Sequence, residues 1–201
     1  MRKYLNRIGI CLLAVSVVWA GMLIADRQKL RQELIRLHVV AASDSAEDQA
    51  VKLQVRDAVI TAFREELQNF QDMEQAKIYL QENIPAICNV ANETLEKAGF
   101  SDTVTVSLCV EEFAARVYDT FSLPAGLYES LRIVIGDGKG QNWWCVVFPS
   151  LCLPATSAGF EEVACGAGFS NTLTDTLEGE HEIRFFFLDA LGSFENFLHR
   201  G

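Results

Sequence analysis

The sequence predicts an α+β fold: an N-terminal signal or anchor helix, then one domain with an antiparallel sheet packed against helices. Three observations carry this. The chain opens on a basic segment followed by an uncharged apolar run. Apolar residues from Val51 to Leu95 then recur at three- and four-residue spacing. After Phe100 the spacing drops to two, the period of a strand.

Arg2, Lys3 and Arg7 precede the uncharged run Ile8–Ala25. About 18 apolar residues are enough to cross a bilayer. The basic flank favours a cytoplasmic N-terminus and export of the remainder. A signal peptide has the same layout, and Val18-x-Ala20 and Leu23-x-Ala25 offer cleavage sites. Cleavage and anchoring both stay open. A soluble helix of this length would carry a polar face, and this one carries none. Residues 1–25 are therefore read as signal peptide or membrane anchor, and 26–33 as a juxtamembrane linker or helical stub. Residues 34–201 are read as a single exported domain.

The formal net charge is −10, and the leader holds three cations and no acid, so the exported part is more acidic still. Nucleic-acid phosphates demand a basic surface, which excludes that class of partner. Of six cysteines, Cys11 lies in the leader. Export permits disulfides, but the spacings match no zinc pattern. A bend at Pro149 makes Cys145 and Cys152 the candidate pair. Cys88 and Cys109 read as small buried hydrophobes that stay reduced.

Leu34–Ala41 reads as a strand, with Arg36 and His38 on one face and Ile35, Leu37 and Val39 on the other. Ser45 caps a helix from about Ala46 to Asn69, with Glu47 and Asp48 in its first turn. Its apolar face holds Val51, Val55, Ala58, Val59, Ala62 and Phe63, and its polar face Lys52, Arg56, Asp57 and Arg64. Asp72 and Gln75 start a second helical region, which Pro85 must kink or split and Gly99 ends. Thr103–Val110 is the cleanest alternating strand, and Glu111-Glu112 is expected to turn it. Phe113–Phe121, Tyr128–Ile135 and Trp143–Phe148 are the next strands, the last two joined by GDGKGQN. Residues 151–179 read as a long flexible loop. His181–Phe187 fits a strand or a helix start. Leu188, Leu191, Phe194, Phe197 and Leu198 predict a C-terminal amphipathic helix.

GDGKGQ invites a phosphate-loop reading, but that loop needs GxxxxGK with Ser or Thr next, opening a helix. Here the glycines lead into a strand and Gly140 follows Lys139, so a glycine-rich turn fits better. His38, Asp44 and Asp48 suggest an acid–base or metal site. Asp44, Ser45 and Asp48 are adequately explained as helix-start residues, and a strand histidine is more often a hydrogen-bonded structural group. The three histidines lack any HExxH spacing. There is no GxSxG elbow. A buried Cys145 thiol would stay inert. Trp143 and Trp144 point to opposite faces of one strand. Both are covered by packing, or one is an exposed interface anchor.

Three blocks resemble the stage II sporulation protein R family. They are LIRLHVVAASDSAEDQAVKLQVRDAV at Leu34–Val59, LPAGLYESLRIVIGDGKGQNWWCVVFPSLC at Leu123–Cys152 and, more weakly, IRFFFLDAL at Ile183–Leu191. The chain departs from the pattern at Phe113-Ala-Ala-Arg116, where a Pro-Thr-Lys-like sequence is expected after the Phe. The 151–179 loop is not covered. The resemblance implies a protein exported from the forespore into the space between the two sporulation membranes, secreted or held by its N-terminal helix. There it activates a membrane-embedded aspartic-type protease of the mother cell, which processes pro-sigma-E. It implies no catalytic site, cofactor or small-molecule substrate. The expected contact surface is Trp143 or Trp144 with Gly138 and Lys139 of the turn, then His38 and Asp44. The alternative is an exported cell-wall hydrolase or other extracytoplasmic enzyme using His38 and nearby carboxylates.

Overall fold

In the computed structural model, which describes residues 2–117, 122–149 and 182–199, strand β1 (Ile35–Val40) lies inside a four-stranded sheet. The order is β2 (Val104–Phe113), β5 (Gly126–Ile135), β1, β6 (Asn142–Phe148). β1 runs parallel to β5 and antiparallel to β6, while β2 is antiparallel to β5. The sheet is therefore mixed, which corrects the antiparallel expectation. The cause lies in β1 itself. Five of its six residues are buried, the pattern of an interior strand paired on both edges and covered on both faces. β5 and β6 each pair with β1, so the glycine-rich segment between them is a bridge over the end of β1.

Helices cover one face of the sheet. Ser45 caps α2 (Ala46–Gln68) by accepting the Asp48 amide at 3.1 Å. Val51, Val55, Val59, Ile60, Phe63 and Leu67 of α2 are buried. Lys52, expected on the polar face, is buried too. Its ammonium donates to the Gln49 side chain at 2.6 Å and to the Gln141 carbonyl at 2.9 Å. Burial, then the neighbouring Arg56 charge, lowers its pKa. Asp72 caps α3 (Met73–Glu82). Pro85 then splits the region, sitting in the first turn of α4 (Ile84–Lys97), where its missing amide costs nothing. Gly99, at φ +84°, ends α4. Leu80, Ile87, Ala91 and Leu95 of these helices meet Ile35, Leu37, Val39, Leu131 and Ile133 of the sheet in one core.

β2 runs on through Glu111 and Glu112, so no turn occurs there. The strand expected over Phe113–Phe121 is replaced by the end of β2 and a short pair, β3 (Arg116–Val117) with β4 (Ser122–Leu123). Residues 118–121 and the expected 151–179 loop lie outside the described residues.

The N-terminal helix α1 (Arg2–Glu33) continues unbroken through 26–33, the helical-stub form of that expectation. Among the described residues no helix is long and apolar enough to cross a membrane. Leu23, inside the uncharged run, is one of the side chains not described. The C-terminal helix α5 (Glu182–His199) settles the helix alternative for that segment. It docks on the sheet through Asp189, which accepts the Ala125 amide at 3.1 Å, and Asn196, which donates to the Phe113 carbonyl at 3.1 Å.

Candidate functional site

Alternation along β1 sends Ile35, Leu37 and Val39 into the helical core and Arg36 and His38 to the opposite face. The register places His38 between Arg132 of β5 and Trp144 of β6. His38 Nδ1 lies 3.1 Å from Glu111 Oε2, and Nε2 lies 2.9 Å from Asn142 Oδ1. Its ring stacks on Trp144, with centroids 5.7 Å apart and planes at 25°. The Arg116 guanidinium lies 4.2 Å from the same indole centroid. Arg132 Nη1 approaches Glu111 Oε1 at 3.3 Å. Burial pushes the Glu111 carboxyl up, but hydrogen bonding by His38 and the charges of His38 and Arg132 outweigh it. The net effect holds Glu111 below the ordinary carboxylate range.

Deeper on the same face, Arg36 is 0% exposed. Its guanidinium lies 4.1 Å from the Phe113 ring centroid and 5.3 Å from that of Tyr128. Those rings meet edge to face at 6.0 Å, and the Tyr128 hydroxyl donates to the Pro124 carbonyl at 2.8 Å. A desolvated guanidinium against aromatic faces gains cation–π attraction that water would screen.

Trp143 faces the helical side. The residue is 39% exposed, with the Arg56 guanidinium 4.3 Å from the ring centroid. The two tryptophans thus take opposite faces, and only Trp143 presents much surface.

The glycine-rich bridge is fastened to the loop after β1. The Lys139 amide donates to the Ala42 carbonyl at 3.1 Å and the Gly140 amide to Ala41 at 2.9 Å. The Gln141 amide donates to Asp44 Oδ1 at 2.8 Å. Gly136 and Gly138 hold φ of +55° and +62°, and a Cβ at Gly140 would collide with the Ser43 carbonyl. The glycines serve close backbone approach, with the bridge amides turned to protein carbonyls. Lys139 is exposed, its ammonium 2.7 Å from Asp137.

The predicted site residues therefore form two groups. Gly138, Lys139 and Asp44 gather at one end of the sheet, with Trp143 two residues beyond Gln141. His38 and Trp144 stack on the face away from the helices. Asp44 and Asp48 do not bond to His38; its carboxylate partner is Glu111, which the sequence reading placed in a turn. Cys145 is disulfide-bonded, and Cys152 lies outside the described residues. Cys88 and Cys109 are free and half-buried. The sequence assigns no site role to Arg36, Arg56 or Arg116. The signal for Arg36 was present, because it shares the parity of His38 on a strand buried on both faces.

Both His38 ring nitrogens are engaged and the ring is covered by Trp144. The free Cys109 thiol, pushed up by burial and by the Glu111 charge, is a poor nucleophile. Among the described residues no cluster of His, Cys, Asp or Glu is arranged to hold a metal. The arrangement is suited to presenting a rigid surface.

The family model described as stage II sporulation protein R matches residues 31–158. The stage II sporulation protein R of Bacillus subtilis (strain 168) is 37% identical over 127 residues, 63% of this chain. That match spans 57% of the relative's length. No solved structure matches. The matched stretch contains both groups of site residues and leaves out α5. The chain belongs to the stage II sporulation protein R family.

Proposed function

We propose that the domain is an exported activating ligand. It acts between the forespore and mother-cell membranes, secreted or held by α1. It binds the outward-facing part of the membrane-embedded aspartic-type protease and favours the state that processes pro-sigma-E. A ligand can do this only by binding the active state more tightly than the inactive one. The observation that most supports the reading is the exposed Trp143 ring. It stands on β6, the last strand in the sheet order, at the end where Lys139 projects. Aromatic side chains on a rigid frame are favoured interface anchors. Trp144, packed between His38 and Arg116, keeps the start of β6 in place. A disulfide from Cys145 to Cys152 would tie the middle of that strand to the segment that follows it. The proposal is tested by Trp143→Ala: the variant should be exported and folded yet fail to trigger processing, and full processing would discard this surface.

One observation favours an enzyme. The His38–Glu111 contact resembles the carboxylate–imidazole pair of a general base. Here Asn142 occupies the other nitrogen. An enzyme reading requires His38→Ala to abolish function while leaving folding and protease binding intact.

A further inference from the structure

Among the described side chains of α5, polar groups meet the domain and large apolar groups face outward. Asp189, Gly192, Asn196 and His199 recur at three- and four-residue spacing, so they share one face, and that face meets the domain. Asp189 takes the Ala125 amide, Asn196 the Phe113 carbonyl, and His199 lies 3.2 Å from Glu112. Gly192 passes so close to Ala125 that a Cβ would strike its carbonyl. On the other side Phe186, Ala190, Phe194 and Phe197 form a second stripe, with Leu198 beside it. Phe186 is 66% exposed, Phe194 60% and Phe197 71%. Of the residues expected on its apolar face, Phe194, Phe197 and Leu198 face outward, Leu191 is half-buried in the cleft with α1, and the Leu188 side chain lies outside the described residues. Water alone would favour the reverse.

We infer that this stripe lies in the surface of the bilayer that α1 enters. The inference rests on the reading of α1 as a membrane anchor. α5 meets α1 where the uncharged run gives way to charged residues. Arg31 pairs with Glu195 at 2.9 Å. Ile24 and Gln28 of α1 line a cleft of about 500 Å³ together with Leu191 and Glu195 of α5. Ile24 is the penultimate residue of the uncharged run. An anchored α1 therefore brings α5 to the depth of the lipid headgroups, where an apolar stripe on an in-plane helix is stabilised by burial among acyl chains. The chain is acidic overall, so attraction to anionic lipid is not the cause, and zwitterionic lipid should suffice.

The full-length chain would carry photoreactive benzoylphenylalanine at Phe194, at Val15 of α1, or at Ile78, which is exposed on α3. Each form would be reconstituted in phosphatidylcholine vesicles, irradiated and analysed for lipid adducts by mass. The expected result is adducts at Phe194 and Val15, with Ile78 at the level of a lipid-free sample. Adducts at Val15 without any at Phe194 would overturn the inference while leaving the anchor intact. So would a Phe194 cross-link to residues 150–181 or to a second copy. Adducts at Phe194 without any at Val15 would uphold the lipid-facing stripe and discard the anchor, and none at either position would discard both. Placing the probe at Phe186 and adding Phe194→Glu and Phe197→Glu should abolish the Phe186 adduct; an undiminished adduct would contradict the inference.

Discussion

The Asp44 carboxylate accepts the backbone N–H of Gln141 at 2.8 Å, across 97 positions of sequence. The Gln141 carbonyl accepts from Lys52. One residue of the glycine-rich bridge is thus held on both sides by residues of the β1–α2 region. The two long blocks that mark the family in the sequence are the two halves of this junction. It fixes the start of β6, and with it Trp143 and Trp144.

The junction should be intolerant of a side chain at Gly140. Gly140→Ala drives a Cβ into the Ser43 carbonyl, and the backbone must move to relieve it. A loss of about 2–3 kcal/mol is expected, read as a lower urea midpoint. Lys139→Ala, at the exposed tip, should leave the midpoint unchanged.

Glu111 should make the domain acid-sensitive. Its carboxyl is held below its unfolded value of 4.5 by His38 and Arg132. The stabilisation is therefore present above that value and is lost as pH falls through the lower, folded pKa. Thermal midpoints measured from neutral pH downward should fall below about pH 4.5. In Glu111→Gln that part of the fall should be absent, with a lower midpoint at neutral pH. An identical acid profile in both proteins would show that Glu111 is not so held.

Arg36 and Phe113 should be energetically coupled. Arg36→Ala removes a fully buried side chain and is expected to cost about 2–4 kcal/mol. A double-mutant cycle with Phe113→Leu should return a coupling of about 1 kcal/mol. Additive losses would mean that the 4.1 Å approach contributes packing alone.

The tryptophans should separate contact from support. Trp143→Ala should leave the unfolding midpoint within about 1 kcal/mol of the parent while protease binding is lost. Trp144→Ala uncovers His38 and frees Arg116, so it should lower both stability and signalling. Loss of stability without loss of signalling in Trp144→Ala would remove it from the account.

Much of the element list was legible because local signals agreed. Ser45, Asp72, Pro85 and Gly99 mark helix ends by backbone chemistry that tertiary structure leaves alone. The parity of Arg36 and His38 was also readable. Strand order was not, because alternation says which face a residue takes and nothing about which strand lies beside it. β1 therefore lies between β5 and β6 without any signal in the sequence, and a bridge reads as a glycine-rich turn between neighbouring strands. Glu111 was missed because paired acids suggest a turn, whereas here the parity of Cys109 and Phe113 carries Glu111 onto the His38 face. α5 shows the opposite failure. Its helical period is legible, but period does not say which side faces the domain: Asp189 and Asn196 make contacts there while Phe194 and Phe197 face outward.

The central claim is that this domain, once exported, switches on the processing protease. The most direct measurement co-expresses the full chain with the protease and pro-sigma-E in a non-sporulating host and follows the size of pro-sigma-E on a blot. The account predicts processing that requires this chain and its export, and that is lost in Trp143→Ala. Pro-sigma-E that stays full length, with all three proteins present and correctly located, would contradict it.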